Sequence, residues 1–463
     1  MELKKSKLVG RSIADSPKIQ GMIKELAAEL AREEAALGSV RPATPDFADS
    51  SKKLIDETNK VRGRPLFYPF IGTGAGHGPY VEIADGSVKL DLINGIGVNI
   101  MGHSHPRVIA ASIRGALTDV VMQGNLEPGP QYTSLGKKMV ELASKKSRLK
   151  HCWFSTCGTM ANENALKLAR QKHSPARFII SMENAFAGRS TMMAEVTDNA
   201  AYRQGLPRYE EVLRIPFYDV KDPQSSAKSL AKLKEHVANH PKDIAVFSFE
   251  PMLGEGGFRS APREFFVPML EFCKEQKIAI WMDEVQTFMR TGELFAFETL
   301  DIGQYADLVT VAKTLQTGAT LFTEDYNPQP GLIAGTFSGA SAALSAGEEI
   351  LDIITQDGYL GPNGKINKIH KEFVAMLNRL NETTCKGLLQ DASGLGLMVA
   401  VTPLDGTKDA VTKLLFTMYK NGLIAFSCGR DPYRLRFLIP AIIESKDIEI
   451  AAKIIEMSIQ EIA

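Results

Sequence analysis

The chain has 463 residues, 44% hydrophobic and 23% charged, ordinary proportions for a globular enzyme and a length that favours two lobes over one. Its 54 basic and 54 acidic side chains cancel to a formal charge of +0, which excludes a strong built-in pull toward nucleic acid or an anionic membrane surface. Five scattered cysteines with no CxxC pair read as reduced thiols. The opening MELKKSKLVGRSIADSPKIQ lacks the apolar stretch of a signal peptide and no run reaches transmembrane length, so the expected location is the cytoplasm.

In chain order, Ser16-Pro17 is a helix start signal, and MIKELAAELAREEAAL places Ile23, Leu26, Leu30 and Leu37 along one face with charge opposite. This predicts an amphipathic helix within an N-terminal arm over residues 1–60. A Gly- and Pro-rich loop follows around PFIGTGAGHGPYVEIADG, in a segment 61–109 assigned to the first part of a small domain. From about Ala110 apolar strand-like runs alternate with helical patterns, which signals an α/β large domain over 110–350 built on a mainly parallel sheet with helices on both faces. Strands are expected at 151–155, 177–181, 244–250, 278–283 and 306–312. Past about 350 helices dominate, with strands in GLGLMVAVT and RLRFLI, so 351–463 reads as the C-terminal, α+β part of the small domain.

The stretch IAIWMDEVQ (278–286) ends a buried strand on the carboxylates Asp283 and Glu284. Ligands of open α/β sheets bind at the carboxyl ends of the strands, and an acid there can face a cation. Lys313 follows another apolar strand, in ADLVTVAKTLQTG; alone, a lysine snorkelling to water accounts for it, whereas a partly desolvated amine would form an imine with a carbonyl cofactor. FSTCGTMANENALKLAR (154–170) is a strand, a turn and a helix matching neither GxGxxG nor the P-loop. Its Gly158 and Thr159 offer N–H groups for a phosphate, although an ordinary capped turn explains them equally well. Together, a phosphate cradle, a strand-end Asp and a strand-end Lys match the needs of pyridoxal 5'-phosphate: anchorage, a partner for the ring nitrogen, and an amine for the aldehyde. His103 and His105 in GHSHP have no accompanying ligand cluster and read as a turn, so no metal is expected.

The chain resembles the class III aminotransferases, pyridoxal-phosphate enzymes of fold type I. The likeness rests on DLINGIGVNIMGHSHPRV (91–108), CGTMANENALKLAR (157–170), AFAGRS (185–190), EPMLGEGG (250–257), MDEVQTFMRTGELFA (282–296), ADLVTVAK (306–313), GTFSGASAA (335–343) and RLRFLIPAI (434–442), in that order. The resemblance implies that Lys313 holds the aldehyde and Asp283 contacts the ring nitrogen. Val285 and Phe186 would sandwich the ring, Gln286 would bond its phenolic oxygen, and Gly158, Thr159 and the neighbouring subunit's Thr336 would bind the phosphate of a homodimer. Arg189, Glu255 and Arg436 would handle substrate carboxylates. The chain departs from the family pattern at Ala187, Met160 and KTLQTG, which alters pocket shape more than chemistry.

The activity so implied is transfer of an amino group, of the ω type as in lysine, 4-aminobutyrate, ornithine or acetylornithine, to 2-oxoglutarate by a ping-pong route. GEGGFRSAPREFF and GLGLMVAV look like lysine 6-aminotransferases and put lysine first. A racemase or aminomutase on the same residues, and an inactive scaffold relative, are the alternatives; keeping Lys313 and Asp283 together argues against the scaffold.

Overall fold

The computed structural model describes residues 8–118 and 126–463. The strands in chain order are β1 (Gly72–His77), β2 (Tyr80–Ile83), β3 (Val88–Asp91), β4 (His151–Ser155), β5 (Phe178–Met182), β6 (Val212–Ile215), β7 (Ile244–Phe249), β8 (Met252–Leu253) and β9 (Arg259–Ser260). They continue with β10 (Ala279–Asp283), β11 (Leu308–Val311), β12 (Gly318–Phe322), β13 (Leu389–Leu395), β14 (Met398–Pro403), β15 (Leu423–Ile424), β16 (Phe426–Cys428) and β17 (Arg434–Leu438).

The central sheet has seven strands in the order β4-β12-β11-β10-β7-β5-β6. Neighbours from β11 to β6 run parallel, and β12 lies antiparallel between β11 and β4. Every residue of β5, β7, β10, β11 and β12 is buried, as strands covered on both faces require. Trp281 is fully buried and donates its indole N–H to the Thr310 hydroxyl at 2.9 Å, so the largest side chain of β10 enters the core without an orphaned donor. The fold is the type I architecture expected from the sequence. Within this sheet two strands, β6 and β12, were not among those expected; β12 begins five residues after Lys313, where KTLQTG reads as a loop.

Two smaller sheets flank it. One has the order β1-β2-β3-β15, so the C-terminal β15 joins strands from the first hundred residues, and the other has the order β13-β14-β17-β16. The arm helix Pro17–Glu34 forms with Ser16 as its N-cap, but its buried strip is Ile23, Ala27 and Glu34, while Leu26 and Leu30 stay exposed. Glu34 decides that rotation, since its carboxylate accepts from the Ser104 hydroxyl at 2.7 Å. Among the described residues no helix is long and apolar enough to cross a membrane.

Candidate active site

β4, β7, β10 and β11 all end at one edge of the sheet, and the segments that leave these four ends build the site. β10 ends on Asp283, 5% exposed, whose Oδ1 accepts the Val285 N–H at 3.0 Å and whose Oδ2 accepts the Asn162 amide at 2.7 Å. Burial pushes its pKa up to about 6, against the pull of those two donors and of the Lys313 charge. Lys313 follows β11 and is half-buried; burial brings its pKa down to about 8, with Glu255 and Asp283 opposing and Arg290 and Arg436 reinforcing. Its φ of +50° lies in the left-handed region, where a side chain costs about 1–3 kcal/mol, so the surrounding structure holds this lysine in place.

The helix Gly158–Lys172 starts where β4 stops, with no side chain capping its first turn. Gly158 is required by packing: a Cβ there would stand 2.6 Å from Val285 Cγ1 and 3.3 Å from Ala312 Cβ. Opposite, the loop after β5 carries Phe186, whose N–H donates to Glu250 at 2.9 Å and whose ring meets Tyr202 edge-on at 6.0 Å. All the residues expected at the cofactor apart from Thr336 line one cavity of about 350 Å³, and Glu255 joins them. Thr336 is exposed, in the loop before the helix Ser341–Gln356.

The class-III aminotransferase family model matches residues 67–459. The acetylornithine aminotransferase of Methanocaldococcus jannaschii is 32% identical over 391 residues, 81% of this chain and 89% of that protein. The chain belongs to the class-III aminotransferases. A probable 4-aminobutyrate aminotransferase of Bacillus subtilis is 29% identical to it over 83% of this chain and 92% of its own length. The same fold is seen in a lysine aminotransferase from M. tuberculosis, with a TM-score of 0.78 and 23% identity over 88% of this chain and all of that one. A Bacillus anthracis aminotransferase gives 0.80 and 19%, covering 90% and 99%.

The protein is therefore a pyridoxal-phosphate-dependent transaminase, taking an amino donor and an oxo-acid acceptor. The cavity of this aminotransferase fits that cofactor on its own geometry. An uncapped helix start beside Gly158 and Thr159 suits a phosphate, and a buried carboxylate suits a ring cation. The Gln286 side chain, 6% exposed on the cavity wall, has an Oε1 with no partner among the described residues.

The residues expected to handle substrate carboxylates fall into two places. Arg436 is fully buried and its Nη1 donates to Glu255 Oε1 at 2.7 Å, while its Nε and Nη2 have no partner among the described residues. Arg189 does not line the cavity; it is exposed, and its guanidinium lies 3.9 Å from the Tyr202 ring centre. Tyr202 in turn lines a second cavity of about 430 Å³ that shares Phe186 and Glu255 with the first.

Several lining residues were not anticipated. Asn162 bridges Asp283 and the Ala187 carbonyl, each at 2.7 Å, and its place one helical turn beyond Gly158 was the available signal. Gln316, in the bulkier run after the lysine, donates to the Val98 carbonyl at 3.1 Å and lines the cavity with Thr317. Glu250 follows β7 as Asp283 ends β10, so the argument from acids at strand tips applied to it equally. Ala187 is buried, and its N–H donates to Thr197 while its carbonyl accepts from Asn162, so the loop is held through its backbone there.

Proposed function

We propose that this aminotransferase moves the ω-amino group of an amino acid to 2-oxoglutarate in two half-reactions at a single site, working as a homodimer with Thr336 reaching the partner's phosphate site. The observation that carries the reading is the buried Arg436 with Glu255 on one nitrogen and two nitrogens unpaired among the described residues. A cation so held has a removable counter-ion. With Glu255 in place the pocket is neutral and accepts the uncharged carbon chain beside an ω-amine; with Glu255 swung aside, the same guanidinium takes the α-carboxylate of 2-oxoglutarate or glutamate by two charge-assisted bonds. Lysine is the first candidate donor, and the similarity to acetylornithine and 4-aminobutyrate aminotransferases supports ω-amines as the class.

Pyridoxal phosphate, when bound, supplies a carbonyl that condenses with amines and a ring that withdraws electrons from the substrate carbon. The chain supplies the rest. Asp283, whose orientation Asn162 and the Val285 N–H fix, would hold its carboxylate toward the ring nitrogen. Lys313 Nζ would hold the carbonyl and, once released as an amine whose pKa burial brings down to about 8, would carry the proton between the substrate carbon and the cofactor carbon. Phe186 and Val285 on the cavity wall would confine the ring between them, and Arg189, stacked on Tyr202, would hold the donor's far carboxylate.

Glu255→Ala tests the reading. The variant leaves Arg436 open, so glutamate and other α-amino acids gain as donors relative to lysine or 4-aminobutyrate, about tenfold in the ratio of kcat/KM. An unchanged ratio removes the gate, and turnover of a donor without any oxo acid identifies a racemase or aminomutase.

A further inference from the structure

Glu250 is 6% exposed, and among the described residues no basic side chain bonds it. Its two oxygens are nevertheless both used. Oε1 accepts the Phe186 N–H at 2.9 Å and Oε2 accepts the Gly254 N–H at 3.0 Å. The first bond fixes the loop whose ring packs on one side of the cavity; the second fixes the turn that leads directly into Glu255. Those loops come from different parts of the chain, after β5 and after β8, and this carboxylate, just beyond β7, ties them together. Gly254 brings its backbone close enough for that bond: a Cβ there would stand 2.4 Å from Gln286 Oε1 and 3.1 Å from Glu250 Oε2.

We infer that Glu250 is a positioning residue that couples the ring-stacking loop of Phe186 to the Glu255–Arg436 gate, so that cofactor seating and the choice between ω-amine and α-carboxylate substrates depend on one buried acid. The coupling part rests on the gate reading given above; the bond pair itself does not. Both bonds of Glu250 go to backbone amides, so it is these two loops, and no ion pair among the described residues, that account for burying it. Ionised, it accepts from both amides. An amide side chain of the same shape presents N–H to one of them and breaks one bond. Burial and the nearby Asp283 charge push its pKa up, while its two N–H donors and Lys313 pull it back toward the ionised form that accepts both bonds.

The control is Thr197, whose hydroxyl accepts the Ala187 N–H at 2.9 Å and donates to the Gly188 carbonyl at 3.0 Å. Thr197→Val loosens the same ring-stacking loop without reaching the gate turn. Glu250→Gln is expected to weaken pyridoxal-phosphate binding about tenfold by titration of the apoenzyme, to change the circular dichroism of the cofactor band, and to lower the preference for lysine over glutamate in the direction of Glu255→Ala. Thr197→Val is expected to weaken cofactor binding while leaving the donor ratio alone. The coupling is overturned if Glu250→Gln leaves that ratio unchanged while Glu255→Ala alters it, or if Thr197→Val alters it as much. Amide exchange separates this from failure of the gate reading. In the wild-type protein the Phe186 and Gly254 N–H groups should be protected together and gain protection by the same factor when the cofactor is added. Unequal responses overturn the link whether or not Glu255 acts as a gate, and this measurement needs no variant that folds.

Discussion

Arg189 shows how a residue's surroundings set the size of its contribution. It is exposed and its guanidinium is stacked on Tyr202, a ring that lines the second cavity although Arg189 itself does not. A carboxylate held there stays partly hydrated, so the bond is weaker than one in a dry pocket. Arg189→Ala should cut kcat/KM for an ω-amino acid about tenfold and leave its decarboxylated analogue unaffected. Steady-state kinetics on that matched pair decide it, and equal losses would assign Arg189 to the fold. The residue was legible in AFAGRS, but its exposure was not, because nothing in the local sequence says that Tyr202 folds back to meet it. Lys313 is the converse case: its position after a strand was plain, while its pKa is set by burial and by the charges of Glu255, Arg290 and Arg436, which arrive from elsewhere in the chain.

Among the elements, the helix Gly158–Lys172 is the one whose placement the site tolerates least. Its first turn is pressed against Val285 and Ala312, and only a residue without a Cβ allows that approach. Gly158→Ala should therefore push the helix start off the sheet edge, lowering stability by about 1–3 kcal/mol and weakening cofactor binding more than about tenfold. Thermal melting with and without pyridoxal phosphate checks both effects; a variant that melts and binds like the wild type would show that Val285 gives way instead. Alternation of apolar strands and helices made the parallel sheet legible. It could not reveal β12, which follows β11 through the short turn 312–317 and pairs with it antiparallel, because its place in the sheet is completed by β4 from far earlier in the chain.

For the whole molecule, stability and assembly give separate tests. Glu284 is fully buried, accepting the Ala296 and Phe297 N–H groups at 2.6 and 2.9 Å, and burial pushes its pKa from an ordinary 4.5 up to about 8. The folded protein thus holds this proton more tightly than the unfolded chain. The associated stability is complete below about pH 4.5 and is lost as the pH rises to about 8. The cofactor-free protein should melt at a lower temperature at about pH 8.5 than at about pH 5.5, and Glu284→Gln should flatten that drop in part; a flat wild-type profile would contradict it. For assembly, Thr336 lies outside the cavity of its own chain, so a shared site makes Lys313→Ala and Thr336→Asp complementary. Co-expressing the two should restore activity that neither shows alone, since a mixed dimer would carry both defects in one site and leave the other intact. No recovery in mixed dimers would confine each site to one subunit.

The chemistry of this protein was written locally. A strand ending on Asp283, a strand followed by Lys313 and a strand turning at Gly158 into a helix each announce themselves within a few residues, because hydrophobic period and strand-end acids and bases are short-range features. What only the tertiary structure decided is how those ends meet other segments: Asn162 under Asp283, Glu250 between two loops, Arg436 sealed from water with Glu255, and β15 pairing with β3 across more than three hundred residues. Those contacts depend on chain paths that close over long distances. The free energy that selects them comes from burying the whole core, a quantity no single stretch of sequence contains.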